Sequence, residues 1–121
     1  MNLNVIETSI ISKARREAAF RVGIGYESIN KTLYNQLGSP EYIRFAIDPD
    51  ERVVGIAKCN EQDEGRLKCF VQKSGQVTVG STVVSRTIRK LTADKTKSYT
   101  FFIEGKEGDY FIAHIDKART K

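Results

Sequence analysis

One segment of the chain, GYESINKT at residues 25–32, comes within one residue of a phosphate-binding loop. That motif requires a glycine, four residues and then Gly-Lys-Ser/Thr, because the glycines let backbone N–H groups surround the phosphates while the lysine neutralises them. Here Asn30 stands in place of the second glycine, and a parallel segment at 80–87, GSTVVSRT, has Ser85-Arg86 at the same place. A pattern that occurs twice without the ligand-binding residues indicates a folding motif, so we predict no nucleotide cofactor.

Residues that could carry catalysis or bind a metal are few and scattered. The single histidine, His114, has no nucleophile or orienting group at a recognisable spacing. Cys59 and Cys69 are too isolated for a zinc site, although a symmetric hairpin about Glu64 would place them opposite each other, where a disulfide could form under oxidation. The acidic run around Asp48 lacks the glycine and ligand positions of a calcium loop. The sequence therefore predicts a non-enzymatic protein without a metal or other cofactor.

The distribution of charge favours a binding protein. Residues 1–65 contain eight Lys/Arg and ten Asp/Glu, a net charge of −2, whereas residues 66–121 contain twelve and five, a net charge of +7. A positive surface attracts nucleic acid or an acidic protein partner. A positive surface can also serve solubility without any partner. The charge count does not decide between a binding role and solubility.

Length and apolar content place the chain in a broad class. A chain of 121 residues fits one domain with a real core. It has no apolar run long enough to span a membrane and no export signal at its start, so we predict a cytoplasmic protein without a membrane partner.

The secondary-structure elements that must position the charges occur twice in one order: strand, helix, strand, strand. The two copies match at an offset of 55 residues, which pairs Gly25 with Gly80 and Asn30 with Ser85 as helix caps. Units too small to bury their own apolar faces should pack together about a pseudo-twofold axis. We predict a single domain over 1–121, with repeat one at about 17–58, repeat two at about 72–115, and extra edge strands at about 3–11 and 66–72. The last two strands of each repeat are predicted to form hairpins, at 42–57 and 99–115.

Two stretches resemble a known family. KSGQVTV at 73–79 resembles the Lys-Gly-Gln-Val-Thr-Ile-Pro opening of AbrB/MazE-type transition-state regulators and antitoxins. The stretch from Gly25 to the Leu37-Gly38 pair is similar to the glycine-to-Leu-Gly core of the same motif. In that family two short chains interleave as swapped hairpins in one β-barrel, and basic residues on one side contact DNA. The resemblance implies a single-chain pseudo-dimer over 17–115: a mainly β fold with two short helices, in which an internal β-α-β-β repeat forms a double-split, swapped-hairpin barrel.

The charge pattern and the resemblance together lead to a functional hypothesis. We expect a bacterial or phage DNA-binding or transcription-regulatory protein that contacts double-stranded DNA mainly through its second repeat. The alternative is a protein-binding accessory or inhibitor module of a phage or mobile element, which binds an acidic partner and no DNA. The sequence leaves the oligomeric state open. The residues expected to contact DNA are Arg86, Arg89, Lys90, Lys73, Lys31, Arg15 and Arg16.

Overall fold

The computed structural model of the chain describes residues 17–120. Within that range the fold is mainly β, with two short helices and strands arranged in two antiparallel sheets, which confirms the predicted class. The predicted strand at 3–11 lies outside the described residues. The strands are β1 Ala19–Val22, β2 Glu27–Ile29, β3 Tyr42–Asp48, β4 Val53–Cys59, β5 Leu67–Lys68, β6 Phe70–Val71, β7 Val77–Val79, β8 Tyr99–Phe102, β9 Gly105–Glu107, β10 Tyr110–His114 and β11 Arg119–Thr120; the α-helices are α1 Lys31–Gln36 and α2 Thr82–Arg89.

The centre of the six-stranded sheet is a pair of short strands, one from each half of the chain. The sheet order is β11-β8-β1-β2-β7-β6. β2 and β7 run antiparallel, with Ser28 opposite Thr78 and Ile29 opposite Val77. β1 and β6 each form a hairpin with the nearer central strand. The four strands β1-β2-β7-β6 are therefore arranged about a local twofold axis between Ser28 and Thr78.

The residue correspondence between the two halves differs from the predicted one. Glu27 and Val77 begin the equivalent strands β2 and β7, so the offset there is 50 residues. Gly25 and Gly75 lie in equivalent turns, with φ of 87° and 89°. The predicted pairing of Gly25 with Gly80 is wrong, because the offset of 55 aligns β2 with the first turn of α2.

The same correction applies to the helix caps. Asn30 caps α1 as predicted, since its side-chain oxygen accepts a hydrogen bond from the Leu33 N–H at 2.9 Å. The cap of α2 is Ser81, whose hydroxyl accepts from the Val84 N–H at 3.1 Å. Ser85, the predicted cap, is instead a buried residue inside α2. Small polar residues at 81 and 85 are both possible caps in the sequence, and only the chain path selects Ser81.

The second sheet has five strands in the order β5-β3-β4-β10-β9. Its β3–β4 hairpin confirms the predicted hairpin at 42–57, with Phe45 opposite Ile56. The turn is closed by the Asp48 carboxylate, which accepts hydrogen bonds from the N–H groups of Asp50 and Glu51, both at 3.1 Å.

One strand-like segment passes from one sheet to the other at Cys69. β5 pairs with β3 in the five-stranded sheet, whereas β6, which follows after Cys69 alone, pairs with β7 in the six-stranded sheet. At the bend the Cys69 N–H donates to the Glu41 carbonyl at 2.9 Å. The segment at 66–72 thus occupies the outermost described position in both sheets.

The segment at 99–107 makes the same passage on the opposite side. The Ile103 N–H donates to the Ala18 carbonyl beside β1, and the next N–H, that of Glu104, donates to the Ile112 carbonyl in β10. β8 therefore pairs with β1, and the hairpin around Gly108 is formed by β9 and β10. The predicted hairpin at 99–115 is wrong for its first half, because the strand changes sheets between Ile103 and Glu104.

An aromatic cluster joins the inner faces of the two sheets. Phe20 of β1 stacks on Phe101 of β8, with ring centroids 5.0 Å apart, and meets Phe45 of β3 edge to face at 5.4 Å. Phe20 and Phe101 are buried almost completely. Burial of such large apolar side chains supplies most of the packing that holds one sheet against the other.

Candidate nucleic-acid interface

Each hairpin turn of the six-stranded sheet lies against the start of the helix from the other half. The Gly25 N–H donates to the Ser85 hydroxyl at 3.1 Å. In the equivalent place, the aliphatic stem of Lys31 lies against Gly75, where a Cβ atom would come within 3.2 Å of the lysine Cδ. The positive φ of Gly75 favours glycine at this position. The two halves therefore exchange turn-to-helix contacts.

The second of these contacts brings together two predicted cations from different halves. Lys31 is the first residue of α1, and Lys73 lies in the turn that also contains Gly75. Hydrogen bonds from the Gly75 N–H to the Gln72 carbonyl and from the Gln72 N–H to the Gln76 carbonyl close that turn at 2.9 and 2.8 Å. Both lysines are exposed.

Two further residues extend this cationic surface, which we call the β6–β7 hairpin surface and define by Lys31, Lys68, Phe70 and Lys73. The Phe70 side chain is 54% exposed, and the Lys68 ammonium lies 6.0 Å from the centre of its ring. Sequence reasoning missed this pair, because a phenylalanine in a strand segment is expected to be in the core.

The three predicted cations of α2 have different roles. Arg86 and Lys90 are exposed and are four residues apart, so they share one side of the helix. Arg89 is half-buried, and its guanidinium donates a hydrogen bond to the backbone carbonyl of Lys95. Arg89 therefore anchors the loop that follows α2.

The predicted cations form two groups. Lys31 begins α1, whereas Arg86 lies within α2, whose start is at the other hairpin turn. The first group is the β6–β7 hairpin surface, and the second is Arg86 with Lys90. Arg15 and Arg16 lie outside the described residues.

Acidic residues are absent from the stretch of chain that carries Lys73, Arg86 and Lys90. No Asp or Glu occurs between Arg66 and Ala93, the stretch that contains the β6–β7 hairpin and α2. In the described part of the chain, no ion pair involves Lys31, Lys73, Arg86 or Lys90. Carboxylates instead line two grooves on the five-stranded sheet, of about 740 Å³ and about 520 Å³. The first groove contains Glu41, Glu61, Asp63 and Asp109, and the second contains Asp48, Glu51, Glu104 and Glu107.

The turn between β1 and β2, residues 23–26, carries exposed apolar side chains where the β6–β7 turn carries cations. Ile24 is 63% exposed, Tyr26 41% and Val83 70%. Ile24 and Tyr26 flank Gly25, whose N–H donates to the Ser85 hydroxyl in α2, the helix that also carries Val83. The two pseudo-equivalent turns thus present different chemistry, one apolar and one cationic.

A buried carboxyl group lies beneath this turn. Glu27 of β2 is 0% exposed and sits between Val22 of β1 and Val79 of β7. Neither carboxyl oxygen has a hydrogen-bond partner of good geometry. The nearby Ser81 N–H lowers the pKa of this carboxyl, but its effect is smaller than that of burial. Burial raises the pKa of Glu27 from 4.5 to about 8. No pattern in the sequence distinguishes Glu27 from a surface glutamate.

The two cysteines do not face each other. β3 lies between β4, which ends at Cys59, and β5, which precedes Cys69. The symmetric hairpin about Glu64 that would place them opposite each other is not formed, and both thiols are free. Burial raises the pKa of Cys69 to about 11, with a smaller contribution from Cys59. Adjacent strands are about 4.8 Å apart, so cysteines on either side of a strand are too distant for a disulfide without backbone movement.

Other titratable groups form surface ion pairs. His114 Nδ1 lies 2.5 Å from one oxygen of Glu104, and the Lys117 ammonium lies 2.8 Å from the other. These contacts hold the Glu104 pKa below its ordinary value, with the Lys117 hydrogen bond as the largest cause. Residues 17–120 contain no group of three or more His, Cys, Asp or Glu side chains that could hold a metal ion. No helix in the same range is long and apolar enough to cross a membrane.

Comparisons with known proteins identify no relative of this chain. No family model, no curated protein and no solved structure matches the chain.

Proposed function

We propose that the chain is a non-enzymatic DNA-binding protein of regulatory type, which contacts the phosphates of double-stranded DNA. The observation that carries this proposal is the contact of the Lys31 stem with Gly75, in the turn of the other half that also contains Lys73, within a stretch of 28 residues without a carboxylate. Cations without ion-pair partners gain most from meeting phosphates, since binding releases the counterions of the duplex. Arg86 and Lys90 supply a second group of contacts.

We also propose the swapped-hairpin barrel as the arrangement that underlies this surface. Two features support it. Each hairpin turn contacts the helix of the other half, and the two segments that bend at Cys69 and at Ile103 each pass from one sheet to the other. In such an arrangement Lys31 depends on Gly75 for its position.

The DNA proposal is tested with three double variants of equal charge. Lys31→Ala/Lys73→Ala and Arg86→Ala/Lys90→Ala each remove two free cations from the proposed interface. Lys58→Ala/Lys106→Ala removes two lysines from the acidic grooves and is the matched control. Fluorescence anisotropy with a mixed-sequence duplex should show each interface variant weakened by about 10-fold or more, because each phosphate contact contributes separately to affinity.

The affinity of the control variant should stay within about twofold of that of the wild type, since Lys58 and Lys106 lie in the five-stranded sheet, outside the two proposed groups of cations, and exposed charges are screened by salt. Equal weakening of all three variants would mean that only the net charge matters. That result would contradict a localised interface.

A second candidate is a protein-binding module, and the apolar patch of Ile24, Tyr26 and Val83 favours it. Clustered apolar side chains on a surface are typical of protein contacts, and Arg86 beside Val83 would suit an acidic partner. This candidate predicts no duplex binding even at low salt. The duplex measurement therefore separates the two.

A further inference from the structure

Phe70 is an exposed aromatic ring on a rigid edge of the six-stranded sheet. β6 is the outermost described strand, and Phe70 lies directly opposite Thr78 of β7. The Thr78 hydroxyl accepts a hydrogen bond from the Gln72 amide at 3.0 Å, which links the two strands of the hairpin beside the ring. The ring is 54% exposed although the strand around it is fixed by backbone pairing.

The charged side chains from Arg66 to Ala93, the stretch that contains this ring, are all positive. The Lys68 ammonium lies 6.0 Å from the ring centre, and the Lys31 stem lies against Gly75 in the turn that also contains Lys73. No carboxylate lies in the chain on either side of Phe70 from Arg66 to Ala93. An apolar ring among cations is poorly suited to an apolar protein partner, whose approach would leave the lysines without counter-charges.

We propose that the β6–β7 hairpin surface binds single-stranded nucleic acid, with one base stacked on Phe70 and the neighbouring phosphates held by Lys68, Lys73 and Lys31. Non-specific single-strand sites combine a cationic track with aromatic rings, because every base has a flat face that stacks. Bases in a duplex are already stacked inside the helix and cannot reach an edge-strand ring. The inference rests on the proposed function for its phosphate contacts and extends it to an unpaired strand.

The test uses the absence of tryptophan from the sequence. Phe70→Trp keeps an aromatic ring at the site and makes it the sole indole fluorophore. Phe70→Leu keeps the apolar bulk but removes the ring. Val71→Ala changes the neighbouring residue, which is 59% exposed, and is the matched control.

The probes are a thymidine oligonucleotide of about 15 nucleotides and a duplex of similar length. We expect Phe70→Leu to weaken oligonucleotide binding by about 10-fold, within the range that alanine substitution gives for one stacked base. Phe70→Trp should bind with about wild-type affinity, and the oligonucleotide, but not the duplex, should quench its fluorescence. Val71→Ala should leave both affinities unchanged.

Each alternative outcome has a definite meaning. Oligonucleotide binding without quenching of the Phe70→Trp variant, or equal affinity of Phe70→Leu and wild type, overturns stacking while the proposed duplex binding survives. Loss of duplex affinity equal to the loss of single-strand affinity in Phe70→Leu also overturns the inference, because it makes Phe70 a general contact. If neither the oligonucleotide nor the duplex binds at low salt, both the inference and the proposed function are overturned.

Discussion

The buried carboxyl group of Glu27 should make the stability of this protein fall as the pH rises. The change to test is Glu27→Gln, which keeps the shape of the side chain and removes its ability to ionise. Glu27 is completely buried between two valines, and its pKa in the folded protein is about 8 against an ordinary value of 4.5. Folding therefore favours the protonated form.

The sign and size follow from proton linkage. Below about pH 4.5 the carboxyl is protonated in both the folded and the unfolded chain, and it contributes no pH dependence. Between about pH 4.5 and about pH 8 only the unfolded chain gives up this proton, so the free energy of unfolding decreases as the pH rises. The full decrease is about 5 kcal/mol as an upper limit. This is a large share of the 5 to 15 kcal/mol roughly expected for a whole domain.

The assay is urea denaturation of wild type and variant at several pH values from about 5 to about 9. The two proteins should have similar free energies of unfolding at about pH 5. At about pH 9 the Glu27→Gln variant should be more stable than the wild type by roughly several kcal/mol. Glu61→Gln, at an exposed position, is the control and should follow the wild type throughout. Parallel curves for wild type and Glu27→Gln would refute the reasoning, because they would mean that the carboxyl is hydrated in the folded state.

Two further predictions concern the hairpin–helix junction and the thiols. Asn30→Ala should destabilise the fold by about 2 kcal/mol in urea denaturation, because the Asn30 oxygen accepts from the N–H groups of both Leu33 and Ala19. Asn30→Asp keeps this acceptor oxygen but loses the hydrogen bond that the Asn30 amide donates to the Glu17 carbonyl, so it should destabilise the fold less than Asn30→Ala does. Equal losses would contradict the capping role. The pKa of Cys69 is about 11, so at about pH 8 its thiolate should be about 100-fold scarcer than that of an ordinary cysteine. In the Cys59→Ser variant, which leaves Cys69 as the remaining thiol, a disulfide-exchange reagent should therefore modify the folded protein far more slowly than the urea-unfolded protein. Equal rates would contradict the burial of this thiol.

Local patterns in the sequence were sufficient for part of the fold. Helix α2 follows from Val84 and Ile88 at four-residue spacing, and the β3–β4 hairpin follows from a turn sequence between two alternating segments. Asn30 caps α1 as its residue type suggests. These features depend on neighbours in the chain, so a single sequence contains them.

Features that depend on distant contacts were missed. β1 and β2 are separated by the turn at 23–26, and a short apolar run there is equally consistent with one longer strand. The offset of 55 was chosen from residue similarity, whereas the pairing of Ser28 with Thr78 fixes an offset of 50 through contacts that only the folded sheet makes. The passage of 99–107 between sheets is likewise decided by which strands are free to pair, and no residue in it is a reliable signal.

Only part of the candidate site was named from the sequence. Lys31 and Lys73 were named but Lys68 and Phe70 were not, and the position of Lys31 beside the turn that contains Lys73 depends on its contact with Gly75 across the two halves. Arg86 and Arg89 are the same residue type, so the sequence does not distinguish them. Only the path of the loop after α2 shows that Arg89 donates a hydrogen bond to the Lys95 carbonyl.

The most direct test of the DNA-binding proposal is the salt dependence of wild-type affinity for a mixed-sequence duplex. Four free cations, Lys31, Lys73, Arg86 and Lys90, should each neutralise one phosphate. At about 0.9 per contact, the logarithm of the binding constant should fall with the logarithm of salt concentration with a slope between about −3 and −4. A slope near zero, or no detectable binding at the lowest salt, would contradict the proposal that this surface binds DNA.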